Sequence, residues 1–298
     1  MVTRGNRDSD EHQFGGTWTD QKLEVLRRYL SAYSTALKNK PFQKLYVDAF
    51  AGTGSRIDGN TQTTRSIPLY DDDDLIALKK GSARVALECE PPFHEYWFIE
   101  KDPNRCTQLE NLKNDFMERA THIQVVQGDA NEELRKLCEG DWKSKRAVVF
   151  LDPYGVVVKW DTVRAIAETK SIDLWILFPL AMGVGRMVTN SGEIPDSWRE
   201  KLNVVFGNEE WSNQFYKDTT SPGLFGPEPN TEKAPMEEIG RYYNQQLATI
   251  FEGVAPNPAI LHNSRRSPLY ILCFAVGNPR GKALALRLAK HILEGING

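Results

Sequence analysis

The sequence has few cysteines, no long apolar run and no excess of basic charge, and each absence removes a class of protein. Its four cysteines stand far apart with no CxxC pair, which is too few for a disulfide scaffold and badly spaced for zinc. No apolar run approaches the roughly 20 residues that a membrane helix needs. The 37 basic and 40 acidic side chains give a net charge of −3, so the whole chain presents no basic field for nucleic acid.

These absences leave a protein of ordinary globular composition, with 40% hydrophobic and 26% charged residues. Residues 1–16 are polar and lack the apolar segment of a signal peptide, and we expect them to form a disordered lead-in. The absence of internal repeats and low-complexity linkers predicts a single domain over residues 17–298. We expect the protein to be cytoplasmic, without a membrane span. The five histidines show no ligand spacing, so no metal site is predicted.

Short apolar runs alternate with helical patterns through the first two thirds of the chain, and this alternation indicates βαβ units. Two later runs, Ala259–His262 and Leu269–Val276, are typical of an antiparallel hairpin. The predicted fold class is α/β, with a Rossmann-like, doubly wound, mostly parallel sheet and a C-terminal antiparallel hairpin. The strands predicted for its parallel part are Leu45–Phe50, Tyr96–Ile99, Ile123–Val126, Ala147–Leu151 and Leu174–Phe178.

Two segments interrupt this alternation and are predicted to be insertions. Residues 55–94 separate the first two strands by more than a short crossover needs, and residues 181–235 are rich in Gly, Pro and Asn. Insertions of this length often face a substrate or a partner. Within the second, we expect one helix near residues 197–206.

The starts of three helices are predicted from capping residues. Thr19 is expected to cap a helix that begins near Asp20. Asp102 precedes Pro103, and proline favours the first helical position. Asp161 is expected to cap a helix over residues 162–170.

A glycine pair follows the first predicted strand, where a doubly wound sheet binds its ligands. Gly52 and Gly54 would let the backbone approach a ligand without an intervening Cβ. A dinucleotide fingerprint needs a third glycine at position 57, but that residue is Ile57, which disfavours NAD. Asp48, just before the loop, is unsuitable for a pyrophosphate and suits a ligand that carries an ammonium group.

Three further acids follow the next three strands. Glu100 is placed to accept the hydroxyls of a ribose, Asp129 to accept a hydrogen bond from an adenine amino group, and Asp152 begins the segment Asp152-Pro153-Tyr154. Each acid alone is more often a helix cap than a ligand. Four acids at successive strand ends favour a ligand site over capping.

These motifs resemble the series found in class I S-adenosylmethionine-dependent methyltransferases. Within that superfamily, several phrases resemble the bacterial three-Cys-motif partner protein family, whose name refers to neighbouring genes for radical-S-adenosylmethionine-like proteins. The phrases are Trp18-Thr19-x-x-Lys22-Leu23, Asp-Ala-Phe-Ala-Gly-Thr-Gly at 48–54, Phe98-Ile99-Glu100, Phe150-Leu151-Asp152-Pro153-Tyr154-Gly155 and Gly277-Asn278-Pro279-x-Gly281.

The resemblance implies a cofactor, S-adenosylmethionine, and roles for individual residues. Asp152, Pro153 and Tyr154 would form the catalytic segment where the methyl group meets its acceptor. Methyltransferases that act on adenine amines carry one more proline here, and the missing proline leaves the class of acceptor open. The cofactor-binding residues would be Asp48, Phe50, Ala51, Gly52, Gly54, Glu100, Lys101, Asp129 and Ala130.

Two functions remain open from the sequence. The first is methyl transfer to an amine of a nucleic acid or another substrate, with Asp152 accepting the amine's hydrogen bond and Tyr154 stacking on a flipped base. The second is a non-catalytic partner of a three-Cys-motif protein, which keeps the fold to bind the cofactor or a protein. The shortened Asp-Pro-Tyr motif and the two insertions keep the second alternative open.

Overall fold

The computed structural model of the chain describes residues 18–51, 81–223, 226–263 and 266–297. Its strands are β1 Gln43–Ala49, β2 Glu95–Glu100, β3 Ile123–Gln127, β4 Lys145–Leu151, β5 Ile172–Pro179, β6 Tyr216–Gly223, β7 Gly226–Lys233, β8 Gly253–Val254, β9 Ala259–His262 and β10 Pro268–Val276. Its α-helices are α1 Trp18–Ala36, α2 Ser82–Leu87, α3 Pro103–Asp115, α4 Ala130–Cys138, α5 Trp160–Glu168, α6 Gly185–Met187, α7 Asp196–Phe206, α8 Trp211–Phe215, α9 Met236–Ile250 and α10 Lys282–Asn297. A 3₁₀ segment covers Met117–His122, and a π-helical turn covers Leu180–Val184.

One mixed sheet organises the chain, with the strand order β3-β2-β1-β4-β5-β10-β8 and with β9 paired to β10. The pairs formed by β1 to β5 are parallel, whereas β10 runs antiparallel to β5 and β9. This confirms the predicted Rossmann-like α/β sheet and its C-terminal antiparallel hairpin. The strand order reverses between β1 and β4, so the ends of these two strands flank the switch point of the sheet.

Helices cover both faces of the sheet, because both faces of its central strands are apolar. On β1, Leu45 and Val47 face the layer that contains α4, α5 and α9, whereas Tyr46 faces the layer that contains α1 and α10. All three side chains are fully buried. Strands that are apolar on both faces are typical of parallel sheets covered on both sides.

The predicted helix starts are correct for one helix and wrong for two. Asp102 caps α3, and its carboxylate accepts hydrogen bonds from Asn104 N (2.8 Å) and Arg105 N (3.1 Å). Thr19 lies inside α1, which already includes Trp18, so Thr19 is not its cap. Asp161 lies in the first turn of α5, which starts at Trp160.

The second insertion contains a feature that the sequence analysis missed, the antiparallel hairpin of β6 and β7. Its pairing runs from Tyr216 opposite Lys233 to Gly223 opposite Gly226, and the two strands form a sheet of their own. The predicted helix of this insertion is α7. The lead-in 1–16 and positions 52–80, which make up most of the first insertion, lie outside the described residues.

Across the described ranges, every helix is too short or too polar to span a lipid bilayer.

Candidate functional site

The carboxyl ends of β1, β2, β3 and β4 meet at one edge of the sheet, and the predicted site residues lie along it. The parallel register places Ala49 beside both Ile99 and Leu151. The residues that follow these three strands are therefore neighbours in space. This edge, with the switch point at its centre, is the candidate functional site.

Asp48 lies next to the end of β1 and is completely buried. Its Oδ2 accepts a hydrogen bond from the Tyr46 hydroxyl at 3.2 Å. Its Oδ1 is buried and has no hydrogen-bond partner among the described residues, and no other carboxylate oxygen in those ranges shares this state. An unpaired buried carboxylate oxygen costs free energy, and a ligand that donates a hydrogen bond to it would remove that cost.

The surroundings of Asp48 bring the pKa of its carboxyl group close to neutral pH. Burial, aided by the nearby Asp152 charge, raises the pKa of Asp48 to about 7 against the lowering effects of Ser82, Tyr46 and Lys22. The carboxyl can therefore gain or lose its proton near pH 7. A cationic group bound beside it would favour the charged form.

Asp152 follows β4 and forms an ion pair with Lys22 from the first turns of α1. The Lys22 ammonium donates a hydrogen bond to Asp152 Oδ2 and lies 4.7 Å from the centre of the Trp18 ring. Lys22 is 4% exposed and Asp152 22%. Helix α1 thus brings a buried cation to the switch point, in contact with the carboxylate that follows β4.

The chain leaves β1 through an unusual backbone conformation at Phe50. This residue has a φ of +81°, in the left-handed region that L-residues other than Asn and Asp seldom adopt. The amides of Phe50 and Ala51 both point to the Ile99 carbonyl, at 3.1 and 3.2 Å, and Ala51 is buried. Strain of this kind concentrates at functional sites. Gly52 and Gly54, the centre of the predicted cofactor loop, lie outside the described residues.

Glu100 ends β2, and its carboxylate is folded back over the turn that follows. Its Oε1 accepts hydrogen bonds from the amides of Lys101 (2.8 Å) and Asp102 (3.0 Å), and its Oε2 lies 3.8 Å from Arg105 Nη1. Glu100 is buried, whereas the Lys101 side chain is exposed. These amides fix the carboxylate at the sheet edge, where the sequence predicts ribose binding.

Asp129, after β3, acts as a helix cap in this structure. Its Oδ1 accepts hydrogen bonds from Asn131 N (3.0 Å) and Glu132 N (3.4 Å), and Ala130 is the buried first residue of α4. The described contacts therefore agree with the capping alternative for this acid. Adenine recognition at Asp129 and Ala130 stays a prediction.

The segment after β4 turns one side chain inwards and the next one out. Pro153 is buried, whereas Tyr154 is 60% exposed. The guanidinium of Arg105 lies 5.4 Å from the centre of the Tyr154 ring, a cation–π distance. Tyr154 is thus a surface ring at the site, and the possibility that it lies in the core is excluded.

Asn131 ties this segment to α4. Its side-chain amide donates a hydrogen bond to the Val157 carbonyl at 3.0 Å, and its Oδ1 accepts hydrogen bonds from Lys159 N (2.9 Å) and the Thr162 hydroxyl (3.0 Å). The residue is 4% exposed. It braces the loop that carries Asp152 and Tyr154.

The sequence analysis assigned no role to Lys22, Arg105 or Asn131. Lys22 had a visible signal, because it lies four residues after Trp18 and four before Leu26 on the apolar face of α1. A lysine on an apolar helix face either extends its ammonium group to the surface or is buried with a hydrogen-bonding or charged partner. Arg105 and Asn131 carried no comparable signal, since Tyr154 and Val157, which they contact, are remote in sequence. Among the described residues, no group of His, Cys, Asp and Glu side chains could hold a metal ion.

A scan against protein-family models found no match, and a search of the curated proteins found none either. Among solved structures, the chain is similar to the protein LPL1258 of Legionella pneumophila, assigned there to the family DUF519, with 15% identity, a TM-score of 0.47 and coverage of 95% of this chain and 94% of that one. It is similar to the spermidine synthase of Thermotoga maritima with 8% identity and a TM-score of 0.40, over 88% of this chain and 61% of that one.

A third similar structure is the magnesium protoporphyrin IX methyltransferase of Synechocystis with bound S-adenosylmethionine. It shows 9% identity and a TM-score of 0.30, over 72% of this chain and 81% of that one. At these identities the likeness concerns the fold alone.

Proposed function

We propose that this chain is an S-adenosylmethionine-dependent methyltransferase that acts on an amine of a nucleic acid or another acceptor. One observation carries the proposal: the cluster of Asp48, Lys22 and Asp152 at the switch point, where Asp48 holds a buried carboxylate oxygen without a partner in the described residues. Such a cluster is costly to fold and is typical of functional sites.

The residues present fit this cofactor at both of its polar ends. The unpaired Oδ1 of Asp48 suits the ammonium of the methionine part, and the positive charge of Lys22 suits its carboxylate. Glu100 offers a fixed carboxylate for the ribose hydroxyls. When bound, the cofactor supplies an activated methyl group, so the protein needs chiefly to align the reactants.

Asp152 and Tyr154 would orient the acceptor. The Lys22 ammonium occupies Asp152 Oδ2, which leaves Oδ1 to accept a hydrogen bond from the acceptor amine. This bond would direct the nitrogen lone pair towards the methyl group. The exposed ring of Tyr154 offers a face on which a planar acceptor can stack.

The Lys22–Asp152 ion pair also gives support to a second candidate function. Because Lys22 neutralises Asp152, the carboxylate is a weaker acceptor for an amine than a free one. A non-catalytic partner of a three-Cys-motif protein would keep the cofactor site and lose methyl transfer. Confirmed cofactor binding without methyl transfer would favour this alternative.

Incubation with methyl-labelled S-adenosylmethionine and separate RNA, DNA and protein fractions from a bacterial lysate tests the proposal. We expect one fraction to be labelled by the wild type, and Asp152→Asn to reduce the rate about a hundredfold or more, since the loss is in transition-state alignment. Asp161→Asn is a matched control, because Asp161 pairs with Arg164 on the exposed surface.

Cofactor binding to the wild type is measured in parallel by calorimetry. Equal labelling by the wild type and Asp152→Asn would contradict the role of Asp152. A wild type that binds the cofactor and labels no fraction would refute methyl transfer.

A further inference from the structure

Arg105 connects the predicted ribose site to the predicted acceptor site. Its Nη1 lies 3.8 Å from Glu100 Oε2, and its guanidinium carbon lies 5.4 Å from the centre of the Tyr154 ring. Glu100 ends β2 and Tyr154 follows β4, and β1 lies between these strands. Arg105 therefore contacts side chains that come from the two strands on either side of β1.

The ion pair between Arg105 and Glu100 is long enough for a ligand to displace Arg105 from the carboxylate. At 3.8 Å the two charges attract each other, but the separation exceeds that of a hydrogen bond between nitrogen and oxygen. The Arg105 side chain is 35% exposed and Glu100 8%. A ribose that donates its hydroxyls to Glu100 would compete with Arg105 for the same oxygen.

Release from Glu100 would leave a guanidinium beside an exposed aromatic ring. Such a pair suits a single-stranded nucleic acid, because a base stacks on the ring while the guanidinium binds a neighbouring phosphate. Val157, in the same loop as Tyr154, is 47% exposed and extends the apolar part of this surface.

We propose that Arg105 binds a phosphate of a single-stranded nucleic-acid acceptor once the cofactor's ribose occupies Glu100, so that cofactor and acceptor bind cooperatively. This inference rests on the proposed methyltransferase function and names the class of its acceptor. The demethylated product, S-adenosylhomocysteine, carries the same ribose and serves as a non-reactive probe.

Fluorescence anisotropy with a short, labelled single-stranded RNA of mixed sequence tests the coupling. We expect saturating S-adenosylhomocysteine to tighten RNA binding to the wild type about fivefold or more. Arg105→Gln should remove this gain, and its slope of log affinity against log salt should fall by about one when the product is bound. Arg105→Lys should retain part of the gain, because it keeps the charge.

The chain provides a closely matched control in Arg84. It pairs with Asp115, its guanidinium lies 5.3 Å from the Phe116 ring, and its side chain is 39% exposed. Arg84→Gln should behave as the wild type does. Glu100→Gln should bind RNA without the product as tightly as the wild type binds it with the product, since Arg105 is then free of its carboxylate.

The outcomes separate this inference from the function on which it rests. If S-adenosylhomocysteine binds but leaves RNA affinity unchanged, or if Arg105→Gln keeps the gain, the coupling is refuted and the cofactor site stands. A wild type that binds no RNA, or that methylates only protein, would overturn the acceptor class. A wild type that does not bind the product would overturn both proposals.

Discussion

Two buried aspartates lie at opposite edges of the same sheet, and their surroundings differ. Asp48 is near the carboxyl end of β1, and Asp173 is the second residue of β5, at the amino-terminal edge. Each accepts a hydrogen bond from a tyrosine hydroxyl, Asp48 from Tyr46 at 3.2 Å and Asp173 from Tyr29 at 2.7 Å. Burial raises the pKa of both carboxyls to about 7.

The partners of the two carboxylates distinguish the sites. Asp173 has the shorter hydrogen bond to tyrosine, and it has no unpaired buried oxygen. The Gly277 backbone and the Arg146 charge also favour the charged form of its carboxylate. Asp48 has an unpaired buried oxygen within the described ranges and faces a second carboxylate, Asp152. A raised pKa alone therefore does not mark a functional site. An unsatisfied oxygen beside a second charge does so more specifically.

The largest effect should come from removing the cation at the switch point. Lys22→Met leaves the Asp152 carboxylate half-buried without its partner, and it removes a charge that lowers the pKa of Asp48. We expect the free energy of unfolding to fall by about 3 kcal/mol in urea denaturation at pH 8. Lys136→Met is the control, because its pair with Glu133 lies on the surface. Equal stability of Lys22→Met and the wild type would contradict the importance of this ion pair.

The raised pKa values of Asp48 and Asp173 should make the stability of the protein depend on pH. A carboxyl whose pKa is higher in the folded than in the unfolded protein stabilises the fold at low pH, and this contribution is lost as pH rises through the folded pKa. The contribution of each carboxyl to the free energy of unfolding should thus decline between about pH 4 and pH 7. Asp48→Asn and Asp173→Asn should each remove part of the decline in urea titrations. A decline as steep in both variants as in the wild type would contradict the two pKa shifts.

The smallest expected effect concerns the backbone at Phe50. Because φ is +81° there, Phe50→Gly should be more stable than Phe50→Ala by about 1 kcal/mol, since glycine adopts this conformation without strain. At Ala49, in the extended strand β1, the substitution Ala49→Gly should instead destabilise the protein. Thermal denaturation of the three variants measures both differences. Greater stability of Phe50→Ala would argue against the strained turn.

The sequence predicted the main sheet well and the site only in part. Runs such as Ala147–Leu151 and Leu174–Phe178 are apolar on both faces, so their burial in a parallel sheet follows from composition. The hairpin of β6 and β7 escaped prediction because its proline- and glycine-rich strands lack an apolar alternation.

At the candidate site, some residues could be predicted from the local sequence pattern, whereas others depend on contacts between distant elements. The sequence analysis placed Asp48 and Asp152 at one ligand site, because the carboxyl ends of parallel strands share one edge. That Lys22 joins them depends on how α1 packs over the sheet, which no local pattern encodes. Asp129 shows the opposite situation. The sequence analysis predicted that it binds a ligand, but its side chain forms the helix-capping hydrogen bonds that aspartate favours at the start of a helix.

The most direct test of the account is calorimetric titration of S-adenosylhomocysteine into the wild type, Asp48→Asn and Asp173→Asn. Because the ligand's ammonium needs a charged partner, affinity for the wild type should increase from pH 6 to pH 7.5 as Asp48 loses its proton. Asp48→Asn should bind at least about tenfold more weakly and lose this pH dependence. Asp173→Asn should bind as the wild type does. Equal weakening by both substitutions, or none by Asp48→Asn, would contradict the assignment of the cofactor site to the switch point.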